Sequence, residues 1–152
     1  MVNKTGRTFA DLDRHAKPAG CGACPLSGVG ASFARTDGSG RNSVALLGEA
    51  LGETEAVAGL PFKGDAGFML NRVLQRGGYK RDDFLIFNTI CCHPPDTYLV
   101  GAPYELGAIE HCDQYFKETL NANRHIKVIV PVGNTALRKC LDISGVKNAH
   151  GT

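Results

Sequence analysis

Gly48-Glu49-Ala50-Leu51-Gly52-Glu53-Thr54-Glu55, continued by Gly59-Leu60-Pro61-Phe62-Lys63-Gly64, is the stretch on which the reading of this chain turns. It follows the apolar run Val44-Ala45-Leu46-Leu47, whose unbroken character predicts a strand covered on both faces. Small residues, carboxylates and an aromatic ring share one short interval at the exit of that strand. Glycines let a backbone approach a ligand closely, and N–H groups at a strand-to-helix turn bind oxygen-rich groups. On this window alone a ligand-binding turn and a glycine-rich connector with solvated glutamates fit equally well. The surrounding chain has to decide between them.

Downstream, Ala66, Met69, Leu70, Val73 and Leu74 recur at helical spacing until Gly77-Gly78, so strand, loop and helix open a parallel crossover. Phe84-Leu85-Ile86-Phe87-Asn88-Thr89 predicts a second strand, and the run from Ile126 to Val132 a third. Ligands in open parallel sheets gather beyond the carboxyl ends of the strands, which puts Asn88 on the same rim as Glu49. The plainer role for Asn88 is to cap its own turn. Leu106, Ile109, Cys112, Tyr115, Phe116 and Leu120 predict a helix with a buried stripe. Ala136, Leu137 and Leu141 predict a last helix, with Cys140 in the core, after Gly133-Asn134-Thr135. Residues 27–42, rich in Gly, Ser and Arg, read as a loop with a short hairpin, and Phe9-Ala10-Asp11-Leu12 as a brief helix in a peripheral lead-in, residues 1–20. The expected fold class is α/β, three layers α/β/α around a short parallel central sheet.

With 152 residues, 43% hydrophobic and 21% charged, the chain suits one domain with one core. A net charge of +2 permits nucleic-acid binding without demanding it. No apolar run reaches the roughly 18 residues that span a bilayer, and the polar start lacks the core of a secretory signal, so a cytoplasmic protein without membrane contact is expected. Six cysteines then belong to a reducing compartment, where thiols bind metal or stay free. Cys21-Gly22-Ala23-Cys24 is a tight turn able to aim two thiolates at one metal, and Cys92 and Cys112 would complete four. A redox pair at Cys21-Cys24 or Cys91-Cys92 is a competing reading, and Cys112 taken alone is an ordinary core residue.

Taken together, the CxxC at Cys21 and Cys24, Gly48-Glu49-Ala50-Leu51-Gly52-Glu53-Thr54-Glu55, Gly59-Leu60-Pro61-Phe62-Lys63-Gly64-Asp65-Ala66-Gly67, Asn88 ahead of Cys92-His93-Pro94-Pro95, and Cys112 resemble the iron–sulfur uracil-DNA glycosylases, the family 4 type of their superfamily. The motifs keep their order from Cys21 to the end. The resemblance implies a hydrolase of base excision repair that cleaves the N-glycosidic bond of a flipped uracil nucleotide in single- or double-stranded DNA, acting as a monomer. It implies that Cys21, Cys24, Cys92 and Cys112 hold a [4Fe–4S] cluster as a structural staple, zinc being the alternative for four thiolates. It implies a pocket lined by Gly48, Glu49 and Ala50, with Glu55 at its wall, Phe62 stacking on the base and Asn88 reading its pairing edge. Glu49, Glu55 and Asn88 are thus the expected catalytic residues.

Elementary chemistry agrees with that assignment. Stacking on an aromatic ring contributes ~1–3 kcal/mol per base and ignores base identity, so selection must come from hydrogen bonds. A carboxamide offers the donor and acceptor that match uracil O4 and N3–H and oppose cytosine. Glycosidic cleavage builds positive charge on the sugar and negative charge on the base, which a carboxylate and pocket donors respectively stabilise.

The sequence also departs from the family pattern. Leu51 stands where proline is usual, Lys63 replaces an apolar residue as a phosphate contact or a solvated side chain, and His93 stands where arginine is usual; neither His93 nor His150 is given a role. The family continues into a further strand and a histidine motif. Residues 21–152 are therefore expected to be a C-terminally truncated glycosylase-like domain that lacks its last strand and excises uracil weakly. A non-catalytic iron–sulfur or zinc module that binds nucleic acid is the alternative, and it has no need of Glu49, Phe62 and Asn88 on one rim.

Overall fold

The computed structural model describes residue 2, residues 5–142 and residue 145. A short helix α1 (Phe9–Leu12), opened by a reciprocal Thr8–Asp11 capping box, precedes a two-residue strand β1 (Thr36–Asp37). Strand β2 (Val44–Gly48) then leads through the site stretch into α2 (Glu53–Ala58) and α3 (Asp65–Arg76). Strand β3 (Phe84–Asn88), the long helix α4 (Glu105–Ala122), strand β4 (Val128–Pro131) and helix α5 (Asn134–Leu141) follow.

The sheet order is β1-β3-β2-β4, with β2 parallel to both β3 and β4 and β1 antiparallel to β3. Alternation along the strands divides the core. Ala45, Leu47, Leu85 and Phe87 face Phe116, Leu120 and Ala136 of α4 and α5, while Leu46 and Ile86 face Leu70 and Leu74 of α3. Helices on both sheet faces give the three layers expected of near-continuous apolar parallel strands. A separate cluster around Leu26, Ile90, Leu99, Ala108 and Tyr115 gathers five cysteines beside α4.

Several elements differ from the sequence reading. The expected hairpin in residues 27–42 is instead β1, which pairs with the edge of β3, Thr36 opposite Phe87. The third predicted strand is shorter, and Val128 and Val130 on it are exposed. In α3 the buried line runs through Leu70 and Leu74, leaving Met69 56% and Val73 60% exposed, because the helix is rotated relative to the predicted stripe. Leu106 and Leu141 also face outward, and Cys140 is only half-buried against the core. Of the final stretch after residue 142 only residue 145 is described, so His150 lies outside the described residues. No helix among the described residues is long and apolar enough to cross a membrane.

Candidate active site and cysteine cavity

Parallel register sets the site. Gly48 and Asn88 end β2 and β3 as direct partners, so the turns that follow leave the sheet side by side. Those turns are stitched together: the Thr89 N–H and hydroxyl both donate to the Gly48 carbonyl at 2.9 Å, and the Ile90 N–H donates to the Glu49 carbonyl at 2.8 Å. Above Gly48 the side chains converge. A Cβ at position 48 would lie 2.4 Å from Asn88 Oδ1 and 2.5 Å from the Phe62 ring, so only glycine lets the two groups meet there.

A cavity of about 390 Å³ opens at this point, lined by Glu49, Ala50, Glu55, Phe62, Asn88 and Thr97 among others. Its size is that of a small-molecule pocket. Asn88 is 4% exposed as a residue, and among the described residues no protein group hydrogen-bonds its side chain, whose polar atoms open onto the cavity. A carboxamide that faces a cavity without a protein partner is placed for a ligand. Glu49 also lines the cavity, and its Oε2 accepts a 2.6 Å bond from Thr135 Oγ1 at the start of α5.

Glu55 is engaged differently. Its Oε1 accepts the backbone N–H groups of Lys63 and Gly64 at 2.9 and 2.7 Å, so this buried carboxylate holds the loop that carries Phe62. From the other side Arg81 Nη2 donates to the Pro61 carbonyl at 2.6 Å, while Arg81 Nε bonds Asp37 Oδ2 at 2.7 Å. Between these clamps Phe62 has φ +52°, a left-handed conformation that a non-glycine residue keeps only when its surroundings enforce it. Lys63 stays exposed to solvent, and its Nζ is paired with Asp37 Oδ2 at 3.0 Å. Burial alone would raise the Asp37 carboxyl, but the bonds from Arg81 and Lys63 outweigh it and hold the group below its usual range.

Two lining residues, Thr97 and Val132, escaped the sequence reading, as did Thr135, which bonds Glu49. Thr135 and Val132 follow β4, and the same strand-end rule that selected Asn88 would have found them. Thr97 comes from a turn in which Asp96 and Thr97 both have positive φ, and its hydroxyl meets His93 Nε2 at 3.1 Å. His93 is buried, which lowers its pKa, although Glu53, Glu55 and Asp96 pull the other way.

The four predicted cysteines come together. Cys21, Cys24, Cys92 and Cys112 are all buried and line one cavity with Lys17, Leu26, Ser27, Phe33 and Cys91, which the sequence offered only as half of a redox pair. The turn after the CxxC is fastened by Lys17 Nζ, which donates to the carbonyls of Leu26 and Ser27 at 2.9 and 3.0 Å. Burial pushes the Cys92 thiol up to about 12, with charge on Cys112 adding to the effect. Burial likewise raises Cys24. The S–H of Cys91 donates to Cys112, lowering the Cys112 thiol against its burial and raising that of Cys91. Among the described residues no three or more His, Cys, Asp or Glu side chains are arranged to hold a single metal ion.

The donor set nevertheless fits a metal cluster. Five cysteines dominate the lining, with Ser27 also present, and buried thiolates there would repel one another, a cost that bound cationic metal would remove. The turn from β3 joins the two centres, since Asn88 and Cys92 lie four residues apart and the Leu51 N–H bonds the Cys92 carbonyl at 3.3 Å.

The family model described as the uracil DNA glycosylase superfamily matches residues 36–151. A type-4 uracil-DNA glycosylase of Thermotoga maritima is 34% identical over 122 residues, covering 80% of this chain and 61% of that protein. The type-4 enzyme of Archaeoglobus fulgidus is 33% identical over 116 residues, 76% of this chain and 56% of its own length. That of Pyrobaculum aerophilum is 38% identical over 76 residues, 50% of this chain and 39% of its own. The chain thus spans about three fifths or less of each of these relatives. With the Gly48–Glu49 turn, the Phe62 ring and the Asn88 carboxamide on one sheet rim, and a family model matched over most of its length, the chain belongs to the uracil DNA glycosylase superfamily.

Proposed function

We propose that the protein is a type-4 uracil-DNA glycosylase that removes uracil from DNA by hydrolysing its N-glycosidic bond, in single or double strands, as a cytoplasmic monomer. The observation that carries this reading is the Asn88 carboxamide, without a protein partner among the described residues, beside the Phe62 ring over Gly48. A flipped uracil stacks on Phe62, and Asn88 donates to O4 while accepting from N3–H. As the C1′–N1 bond breaks, its electron pair leaves with the base, and water adds its oxygen to C1′. Glu49, oriented by Thr135, stabilises the cationic sugar and positions that water, which releases its proton to the carboxylate or to solvent. Glu55 is a positioning residue in this scheme, because its Oε1 is committed to the Phe62 loop.

In the same reading Cys21, Cys24, Cys92 and Cys112 hold a [4Fe–4S] cluster that staples the rim and takes no part in the hydrolysis. Zinc is the alternative occupant of the same four thiolates. The deciding experiment is a mass-resolved excision assay on uracil-containing single and double strands with Asn88→Ala and Phe62→Ala alongside. Uracil release by the parent chain and its loss in both variants is the expected result; undiminished release by the variants would reject the pocket. Visible absorbance and iron content of the same preparation distinguish a cluster from colourless zinc.

A further inference from the structure

Tyr115 lies on α4 one turn beyond Cys112 and is 4% exposed, with its hydroxyl 3.4 Å from the Cys21 sulfur. Its ring is held in place. Phe33 meets it edge-on at 5.2 Å, and the Arg35 guanidinium lies 5.3 Å from the ring centroid and is itself paired with Glu118. Room for the hydroxyl is made by Gly20, where a Cβ would stand 2.8 Å from Tyr115 Oη. Two features from distant parts of the chain, a missing side chain at 20 and a braced phenol at 115, thus serve one contact with sulfur. A buried phenol needs a hydrogen-bond partner, and a metal-bound thiolate has only lone pairs to offer, so the O–H must donate to the sulfur.

We propose that Tyr115 is a positioning residue for the metal centre, fixing Cys21 and raising the reduction potential of the cluster through an O–H···S hydrogen bond. This rests on the iron–sulfur reading above. Reduction adds one electron to the cluster, and much of that charge falls on the sulfurs. A donor aimed at Cys21 stabilises the reduced form more than the oxidised form, and its removal must lower the potential.

The test is a spectroelectrochemical titration of the purified holoprotein, following cluster absorbance, with iron content measured in parallel. Tyr115→Phe removes only the hydroxyl, and Gly20→Ala displaces it while keeping the tyrosine. At the wild-type midpoint both variants should lower the reduced-to-oxidised ratio about tenfold, equivalent to about 59 mV for a one-electron couple. Tyr79→Phe, at a half-exposed ring against Phe84, should leave it unchanged. Should Tyr115→Phe not fold, Gly20→Ala carries the same measurement. An unchanged potential in the iron-loaded variants overturns the role of Tyr115 and leaves the cluster standing. A colourless, iron-free wild-type protein overturns both.

Discussion

One methyl group at position 48 is the sharpest probe of the pocket. Gly48→Ala would drive Cβ into Asn88 Oδ1 and the Phe62 ring, so both groups must retreat from the base site. Displacements of about 1 Å cost roughly a hundredfold in rate; we expect that loss of uracil release in single-turnover assays, with the far-UV spectrum retained. Glu55 allows a test between chemistry and scaffolding. A glutamine oxygen can still accept the N–H groups of Lys63 and Gly64, so Glu55→Gln should keep most of the activity, whereas Glu55→Ala should raise the half-saturating DNA concentration about tenfold as the Phe62 loop loosens. An equal collapse in both variants would return Glu55 to the reacting groups. At this scale the sequence was legible through residue types with few plausible jobs: Asn88 at a strand end and Phe62 in a glycine-rich loop both line the cavity. The bonds that commit Glu55, and the Thr135 hydroxyl on Glu49, depend on contacts across 8, 9 and 86 residues of chain, which no local pattern reveals.

Among the elements, the loop between α2 and α3 depends on β1 through Asp37, which receives Arg81 and Lys63 together. Because these cations depress the Asp37 pKa, its stabilising contribution is complete above the usual carboxylate value near 4 and fades as pH falls through the lower folded-state value. Urea unfolding should therefore find Asp37→Asn less stable than the parent at pH 7 by about 1–2 kcal/mol, with the gap closing toward pH 3. A gap independent of pH would show that the carboxylate charge is not what matters. The strand itself was hidden in the sequence. Two residues carry no periodicity, and β1 exists only because the edge of β3 offers it hydrogen bonds. Helix α3 was legible in extent but not in rotation, since a five-residue apolar set leaves several faces open until the sheet selects Leu70 and Leu74.

For the molecule as a whole, the turn after β3 carries Asn88 at one end and Cys91 and Cys92 at the other, so the cysteine cavity and the pocket share a support. Cys92→Ser should deplete iron, lower Tm by about 10 °C and weaken uracil release together; calorimetry and metal analysis on one preparation check this, and a variant that loses iron yet keeps its Tm would argue against a staple. The layered α/β plan was readable because buried parallel strands leave continuous apolar runs, and the spacing of Cys21, Cys24, Cys92 and Cys112 pointed to the one buried space they share. What the sequence concealed was how closely the two centres are bound to one another. The outer side of β4 bears on handling of the protein. Val128 and Val130 stand exposed beside main-chain groups that pair with no strand among the described residues, and such a margin templates sticking between molecules. Concentrated stocks should turn cloudy on warming, and a lysine introduced by Val130→Lys should delay the onset of turbidity.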